Sequence, residues 1–402
     1  MKIADVVVVG AGPAGAAAAI LLAERGFTVT LLDKAAFPRP KICGEYLSPE
    51  AARILDRLGV LKAVDQAGAQ PLRGMKIVAP DGTVLDGRYP TAGPWRGYRD
   101  YALAIPREAL DRLLVERARS LPVDFRERHR VTGLLLTESG DVAGVRAQDE
   151  NGGQHALHAR LVVGADGRSS VVAESLGLKR PHALRRMALI QHVAGLEELG
   201  ERGEIYIDPP DYAILNPVLP GLVNLGLVVP LAHAAPWRGR LETFFRARLK
   251  QLRHLAPRLE GMEPAGPLMA MGPLAYRVDD PRAGGVLLAG DAAGFYDPFT
   301  GEGLYTALRS AELLAETAHS ALKRGDLSAR ALAPYAQARR AEQAAKARVT
   351  RGIQVLIARR GLSNWAAHTL ARRPALLETL MGVIGDFVPP RELLRQALSR
   401  SG

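Results

Sequence analysis

The chain has 402 residues, 48% hydrophobic, 24% charged and 5% aromatic, a balance that excludes disordered, collagen-like and membrane-spanning classes and is long enough for two or three domains. Its one cysteine, Cys43, excludes an intrachain disulfide framework, multi-cysteine zinc or iron–sulfur sites and paired redox cysteines, and suits a reducing cytoplasm. The net charge of +11 raises the question of an anionic partner, which only the placement of the charges can answer.

In chain order, residues 3–9 (IADVVVV) are a β-branched run of the buried-strand type, followed by a glycine turn and an alanine-rich helix from about 14 to 25. Residues 6–23 carry no charge, but Asp5 stands where a leader would be cationic, and Gly10, Gly12, Pro13 and Gly15 break the run. The segment therefore reads neither as a signal peptide nor as a membrane span. Residues 28–32 form the next strand, completing a right-handed βαβ unit of a parallel sheet. A Pro- and Gly-punctuated loop fills 34–48, and the segment after it, SPEAARILDRLGV, is a helix closing at Gly59. Residues 75–79 and 84–88 form a hairpin turning at Asp81-Gly82, and residues 107–119 an amphipathic helix with Leu110, Leu113, Leu114 and Ala118 on one face. Strands are expected at 130–136, 142–148 and 154–159, then the apolar run LVVGADG at 161–167. Further strands are expected at 187–194, 203–207, 212–218 and 222–229, and a helix at 237–255. From 302 onward the chain reads as helical, with breaks near Gly325, Gly361, Pro374 and Pro389-Pro390.

This order describes an α/β protein. A Rossmann-like nucleotide-binding domain is assembled from 1–74, 103–180 and 275–325, and an antiparallel-sheet domain for substrate (75–102 and 181–274) is inserted in it. A helical C-terminal region follows at 326–402. Residues 323–402 hold fifteen Lys and Arg against five Asp and Glu, so +10 of the +11 lies there. Because these charges alternate with Leu, Ile, Val and Trp365 at helical spacing, they read as a solvated helical face, with peripheral contact to an anionic membrane as the alternative. No nucleic-acid-binding element accompanies them.

Gly10-x-Gly12-x-x-Gly15 between a strand and a helix is a dinucleotide fingerprint. Gly10 permits the tight turn, Gly12 lets a pyrophosphate approach the backbone, and Gly15 allows close helix–strand packing beside Ala14. Asp33, at the end of the next strand and followed by Lys34, is placed to accept ribose hydroxyls. The fingerprint alone does not distinguish FAD from NAD, and it occurs once.

Two further segments complete the pattern. Gly164-Ala165-Asp166-Gly167 follows one apolar strand, Gly290-Asp291 ends another, and Asp297-Pro298-Phe299-Thr300-Gly301-Glu302-Gly303 runs into a helix. Over 1–60, 102–180 and 275–320 the chain resembles the glutathione-reductase-type FAD proteins of the aromatic hydroxylase branch, which includes geranylgeranyl reductases and flavin-dependent halogenases. That resemblance implies FAD as cofactor, with Gly290 and Asp291 on the ribityl chain. It also implies that Pro298, Gly301 and Gly303 cap the flavin ring, that Asp166 lies near FAD and pyridine-nucleotide contacts, and that Arg107 lies near the FAD phosphates. The loop from Lys41 to Pro49 resembles the Cys-Gly-Glu loop that geranylgeranyl reductases hold beside the flavin. It makes Cys43 the flavin-proximal candidate for catalysis, with Gly44 beside it; a small apolar packing role is the alternative for Cys43.

Tyr212, Ile214, Asn216 and Pro217 stand where the reductases carry aromatic-x-Trp-x-Phe-Pro, with Ile214 and Asn216 departing from it, and are the candidate substrate residues. The resemblance implies reduction of a carbon–carbon double bond in a hydrophobic, isoprenoid-type molecule, with electrons from transiently bound NAD(P)H or another carrier. The alternatives are an NAD(P)H- and O2-dependent hydroxylation of an aromatic, quinone or polyketide, and a flavin-binding protein without turnover. No metal cluster, Ser-His-Asp triad or P-loop is found, and the nine histidines read as structural or solvated.

Overall fold

The computed structural model describes residues 3–196, 199–297, 299 and 301–398. The strand Ala4–Val9, apolar after Asp5, lies inside the first sheet, parallel to Val29–Leu32 on one side and to the end of Gln154–Gly164 on the other. The sheet runs Val123–Arg126, Val29–Leu32, Ala4–Val9, Gln154–Gly164, Val142–Gln148, Arg130–Leu136, and Val286–Leu288 adds in parallel to Gln154–Gly164. Where two segments were expected at 154–159 and 161–167, one strand spans Gln154–Gly164. Its first half pairs antiparallel with Val142–Gln148 and alternates exposed with buried residues; its second half pairs parallel with Ala4–Val9 and is buried on both faces. The change of hydrophobic pattern marks a change of partner, not a break in the strand.

Helix Pro13–Ala23 is apolar all round, and every residue in it is buried against the sheet and helices Arg107–Arg119 and Gly303–Arg324.

The second sheet runs Glu263–Pro264, Arg186–Ala194, Leu222–Pro230, Asp211–Leu219, Gly203–Asp208, Gly74–Val78, Val84–Arg88. Its outer face packs through Leu189, Val193, Leu225 and Leu227 against Phe244, Phe245 and Leu249 of helix Leu241–Gln251. That helix is shorter than the expected 237–255, because Gly239 turns the chain with a positive φ before it and Leu252 is extended after it. The inner face carries three cross-strand rows: His192, Asn224 and Asn216; then Ile190, Gly226, Ile214, Ile205 and Ile77; then Ala188, Val228, Tyr212 and Ile207.

The C-terminal region is a lid on this inner face. Helices Ala329–Ile357, Arg360–Ala371 and Pro374–Ile384 contribute Ile357, Ala367, Leu377, Met381 and Ile384 to one core with Ile190, Ile205 and Tyr212. Gly361 lies inside a helix, and the break falls just before it at Ala358 and Arg359. Several cations of the region are committed internally: Arg339 pairs with Asp280 at 3.1 Å, Arg360 with Asp208 at 2.6 Å, and Lys346 with Asp386. Among the described residues no helix is long and apolar enough to cross a membrane.

Met381 is fully buried, and a Cβ built on Gly87 would stand 2.7 Å from its sulfur, so helix and sheet edge interlock there. Met381→Ala is expected to lower the free energy of unfolding by about 2–5 kcal/mol in urea titration, the cost of a core cavity. A loss below about 1 kcal/mol would mean that the helix does not seal the sheet.

Candidate active site

The three glycine-bearing segments converge through backbone approach. A Cβ on Gly10, whose φ is +95°, would lie 2.5 Å from the Ala165 carbonyl oxygen, and one on Gly290 would lie 2.9 Å from the Ala14 methyl. Gly12 differs: among the described residues a Cβ there meets only the Arg39 guanidinium, at 3.8 Å, so the N-terminus of helix Pro13–Ala23 opens onto free space. Asp33 is buried and holds the turn itself, accepting the N–H of Ala11 at 2.8 Å and of Ala35 at 2.9 Å. Arg39, not singled out in the sequence, bridges Asp33 at 3.5 Å and the buried Asp111 at 3.3 Å. Desolvation holds the Lys41 ammonium below the usual lysine range, and the nearby charges of Arg107, Arg39 and Lys34 add to it while Asp291 opposes. An open helix N-terminus beside this group of cations fits a pyrophosphate.

Arg107 is neither exposed nor unpaired. It is buried, makes two hydrogen bonds of 2.9 Å to Asp111, and donates its backbone N–H to Glu45 at 2.7 Å. Its guanidinium also neighbours Cys43, so its place is between the phosphate end and the Cys-Gly-Glu loop.

That loop is clamped from the second sheet. Asn216 donates to the Gly44 carbonyl at 2.8 Å, and Asn224 to the Cys43 carbonyl and to Glu45 Oε2, both at 2.9 Å. His192 Nε2 meets the same Glu45 oxygen at 2.6 Å, and this hydrogen bond raises the imidazole above the ordinary histidine range against partial burial. Glu45 itself is buried with φ +58°, the left-handed region. Burial pushes the half-buried Cys43 thiol up, while Arg107 and the Glu45 N–H pull it down, with a net rise. His192 and Asn224 went unrecognised in the sequence, although both are polar residues at positions that strand alternation assigns to the inner face.

At the ring end, a Cβ on Gly301 (φ +69°) would lie 2.6 Å from the Tyr46 ring, and helix Gly303–Arg324 begins two residues on with its positive end at the site. Pro298 lies outside the described residues. Asp291 is pushed up by burial, with Lys41, Arg107 and Arg168 opposing. Asp166 accepts the Val171 N–H at 2.7 Å through Oδ2, while its buried Oδ1 has no partner among the described residues. An orphaned carboxylate oxygen beside the Gly10 turn is what a hydroxyl or N–H donor of a bound cofactor would satisfy.

The four candidate substrate residues separate. Tyr212 is fully buried, donates to Asp297 Oδ1 at 3.0 Å and packs edge-on to Phe299; Asn216 serves the loop; Ile214 lies in the apolar row, next to Gly226; Pro217 follows at the strand's far end. None of them lines the large cavity, of about 1380 Å³, which lies between helices Gly303–Arg324 and Ala329–Ile357 and the segment 276–283.

A family model described as FAD binding domain matches residues 3–350. The digeranylgeranylglycerophospholipid reductase of Methanosarcina mazei is 28% identical over 339 residues, covering 81% of this chain and 77% of that protein. A second such reductase, from Methanopyrus kandleri, is 31% identical and covers 82% and 81%. The flavin-dependent brominase Bmp2 has the same fold, with a TM-score of 0.83 at 21% identity over 99% of this chain and 98% of that one.

Two outcomes follow from this geometry. Gly12→Asp places bulk and negative charge in the one open approach, so the purified variant is expected to lose its flavin absorbance while its far-ultraviolet circular dichroism stays intact. For His192, the raised folded-state value means that its bond to Glu45 stabilises fully below about pH 6.5 and is lost as pH rises through the higher folded value. The urea midpoint of the native protein should therefore fall across that window relative to His192→Gln, which keeps a neutral donor; parallel profiles would refute the linkage.

Proposed function

Since the chain belongs to the FAD-dependent oxidoreductase superfamily of geranylgeranyl reductases and aromatic hydroxylases, we propose that it reduces a carbon–carbon double bond of a hydrophobic, isoprenoid-type molecule, with electrons from NAD(P)H or another reduced carrier. The observation that carries the reading is the Cys43-Gly44-Glu45 loop, fixed between the cofactor motifs and the second sheet by Asn216, Asn224, His192 and Arg107. Bound FAD supplies, once reduced, a hydride equivalent.

The protein's part is to bind, orient and deliver a proton. The Gly10–Gly15 turn and Arg39 would hold the pyrophosphate, Asp33 the ribose, Asp291 the ribityl chain, and the start of helix Gly303–Arg324 the ring edge. Saturating a double bond adds hydride to one carbon and a proton to the other. The Cys43 thiol stays protonated through neutral pH because burial raises it, so it can give that proton. Arg107, beside the sulfur, stabilises the thiolate until water returns a proton. Ile190, Ile214 and Ile205, on the row next to the clamp, supply an apolar surface next to the loop.

The test is the FAD-loaded protein, reduced with dithionite and mixed with geranylgeraniol without oxygen, with products read by mass. A gain of two hydrogens is expected, and Cys43→Ala should slow that step about 100-fold or more with FAD content unchanged. A product that gains one oxygen atom, and only in air, would replace reduction with hydroxylation.

A further inference from the structure

The cavity of about 1380 Å³ shares Asp291 and Gly303 with the flavin side, and the rest of its lining is used by none of the steps above. It is larger than the roughly 300–1,000 Å³ of most small-molecule pockets and is large enough for an extended ligand. Gly12, Asp33, Arg39, Cys43 and Arg107 do not line it, so it is distinct from the pyrophosphate groove. Its floor is the face of helix Gly303–Arg324 bearing Thr306, Ser310 and Leu313, whereas Leu304, Leu308 and Ala311 of the same helix pack into the core around Pro13–Ala23. At its inner end it reaches Asp291, Asp297, Glu302 and Gly303, the segment that adjoins the flavin side.

Two independent features mark it as a ligand site. The first is charge at the rim. His182, Arg277 and Arg351 line the same cavity, and desolvation first, then the charges of the two arginines, holds the His182 imidazole below the ordinary range. Neither arginine has a carboxylate partner among the described residues, while the neighbouring Arg180, Arg339 and Arg340 are each paired with Asp279 or Asp280. Two unpaired guanidiniums beside a histidine repel one another unless an anion joins them. His182 also stands edge-on to Tyr296 at 5.2 Å, adding an aromatic wall to the cationic one.

The second feature lies in the buried wall. Asp297 Oδ2, Gln354 Oε1 and Arg186 Nη1 are buried without partners among the described residues, in side chains at most 6% exposed. They belong to one cluster, because Gln354 Nε2 and Tyr212 both donate to Asp297 Oδ1, at 2.7 and 3.0 Å, and Arg186 stacks over the Tyr212 ring. Of the three, Asp297 is part of the cavity lining, so the cluster reaches the inner wall through it. An unmet buried polar group carries its full desolvation cost, which a ligand or its waters would recover.

We propose that this cavity binds a phosphate-bearing ligand, its phosphate on Arg277 and Arg351 and its body running inward to the Asp297 and Glu302–Gly303 wall. The choice of probes rests on the reductase reading, which admits two sources of that phosphate: a pyridine nucleotide that brings electrons, or a phosphorylated isoprenoid that is the substrate.

The experiment uses FAD-loaded protein and follows flavin fluorescence on titration with NADP+ in one arm and geranylgeranyl diphosphate in the other. At least one probe should bind, more weakly at high salt. Arg277→Ser/Arg351→Ser should weaken that probe tenfold or more, and Ala347→Trp, which fills the cavity without altering its charge, should weaken it similarly. The exposed Arg253→Ser, on the far side of the second sheet, should leave it unchanged. Loss confined to NADP+ identifies an electron-donor site, and loss confined to the diphosphate a substrate site. Binding of neither probe, or binding that both cavity variants leave intact, overturns the proposal. The dithionite assay needs no phosphate-bearing partner, so the reductase reading stands or falls separately.

Discussion

The Glu45 carboxylate lies buried between the cofactor motifs and the second sheet and is met by three donors: the Arg107 backbone N–H, the Asn224 amide and His192. Two of these come from the inserted sheet and one from the start of helix Arg107–Arg119. The backbone at Glu45 is left-handed, which costs about 1–2 kcal/mol for a residue with a Cβ. Hydrogen bonds to a charged group contribute about 1.5–3 kcal/mol each, so three of them outweigh the strain. A glutamine could not substitute in kind, because its amide would turn N–H groups toward donors. The position of Cys43 beside the cofactor motifs is thus set by a carboxylate two residues away.

The glycines divide into two physical roles that a single motif conceals. Gly10 and Gly290 are sites of close approach, where an added Cβ would strike backbone or the Ala14 methyl, so they are demanded by the fold before any ligand arrives. Gly12 has room in front of it, and the demand there comes from what binds. Gly301, pressed on the Tyr46 ring, belongs with the first pair and joins the flavin-side loop to the Cys-Gly-Glu loop. Tyr46 in turn shares a 2.5 Å hydrogen bond with Tyr89, next to the hairpin strand Val84–Arg88, so the chain of contact runs from the helix start to the second sheet.

Much of this was legible in the sequence because its signals are local. A β-branched strand, a glycine turn and an alanine-rich helix need only a few neighbouring residues to be read, and the antiparallel strands announce themselves by alternation. The loop at Cys43 was legible through its resemblance. What was not legible depends on partners distant in sequence. Gln154–Gly164 reads as two segments because its two halves meet different strands. Asn216 reads as pocket lining, yet its amide is taken by a carbonyl 172 residues away. His192 reads as one more structural or solvated histidine until Glu45 is brought within 2.6 Å. The C-terminal helices read as a solvated face because their charges alternate with apolar residues at helical spacing, and only packing such as that of Met381 on Gly87 reveals a lid.

The same distinction governs charge. Composition places nearly all the net positive charge in the last eighty or so residues, which suggests a diffuse basic face. In the folded chain that excess is unevenly distributed. Arg339, Arg340 and Arg360 each neutralise an acid of the body and so fasten the C-terminal helices to it, while Lys346 pairs with Asp386 within the region. What decides where an anion would settle is not the total but the cations left without a carboxylate once those pairs are formed. Arg351, from the C-terminal region, and Arg277, from strand Tyr276–Val278, have that property, and both line one cavity with His182. Both arginines stand on its rim, one from the lid and one from the body, so an anion bound there would bridge the two parts as Glu45 bridges the two sheets.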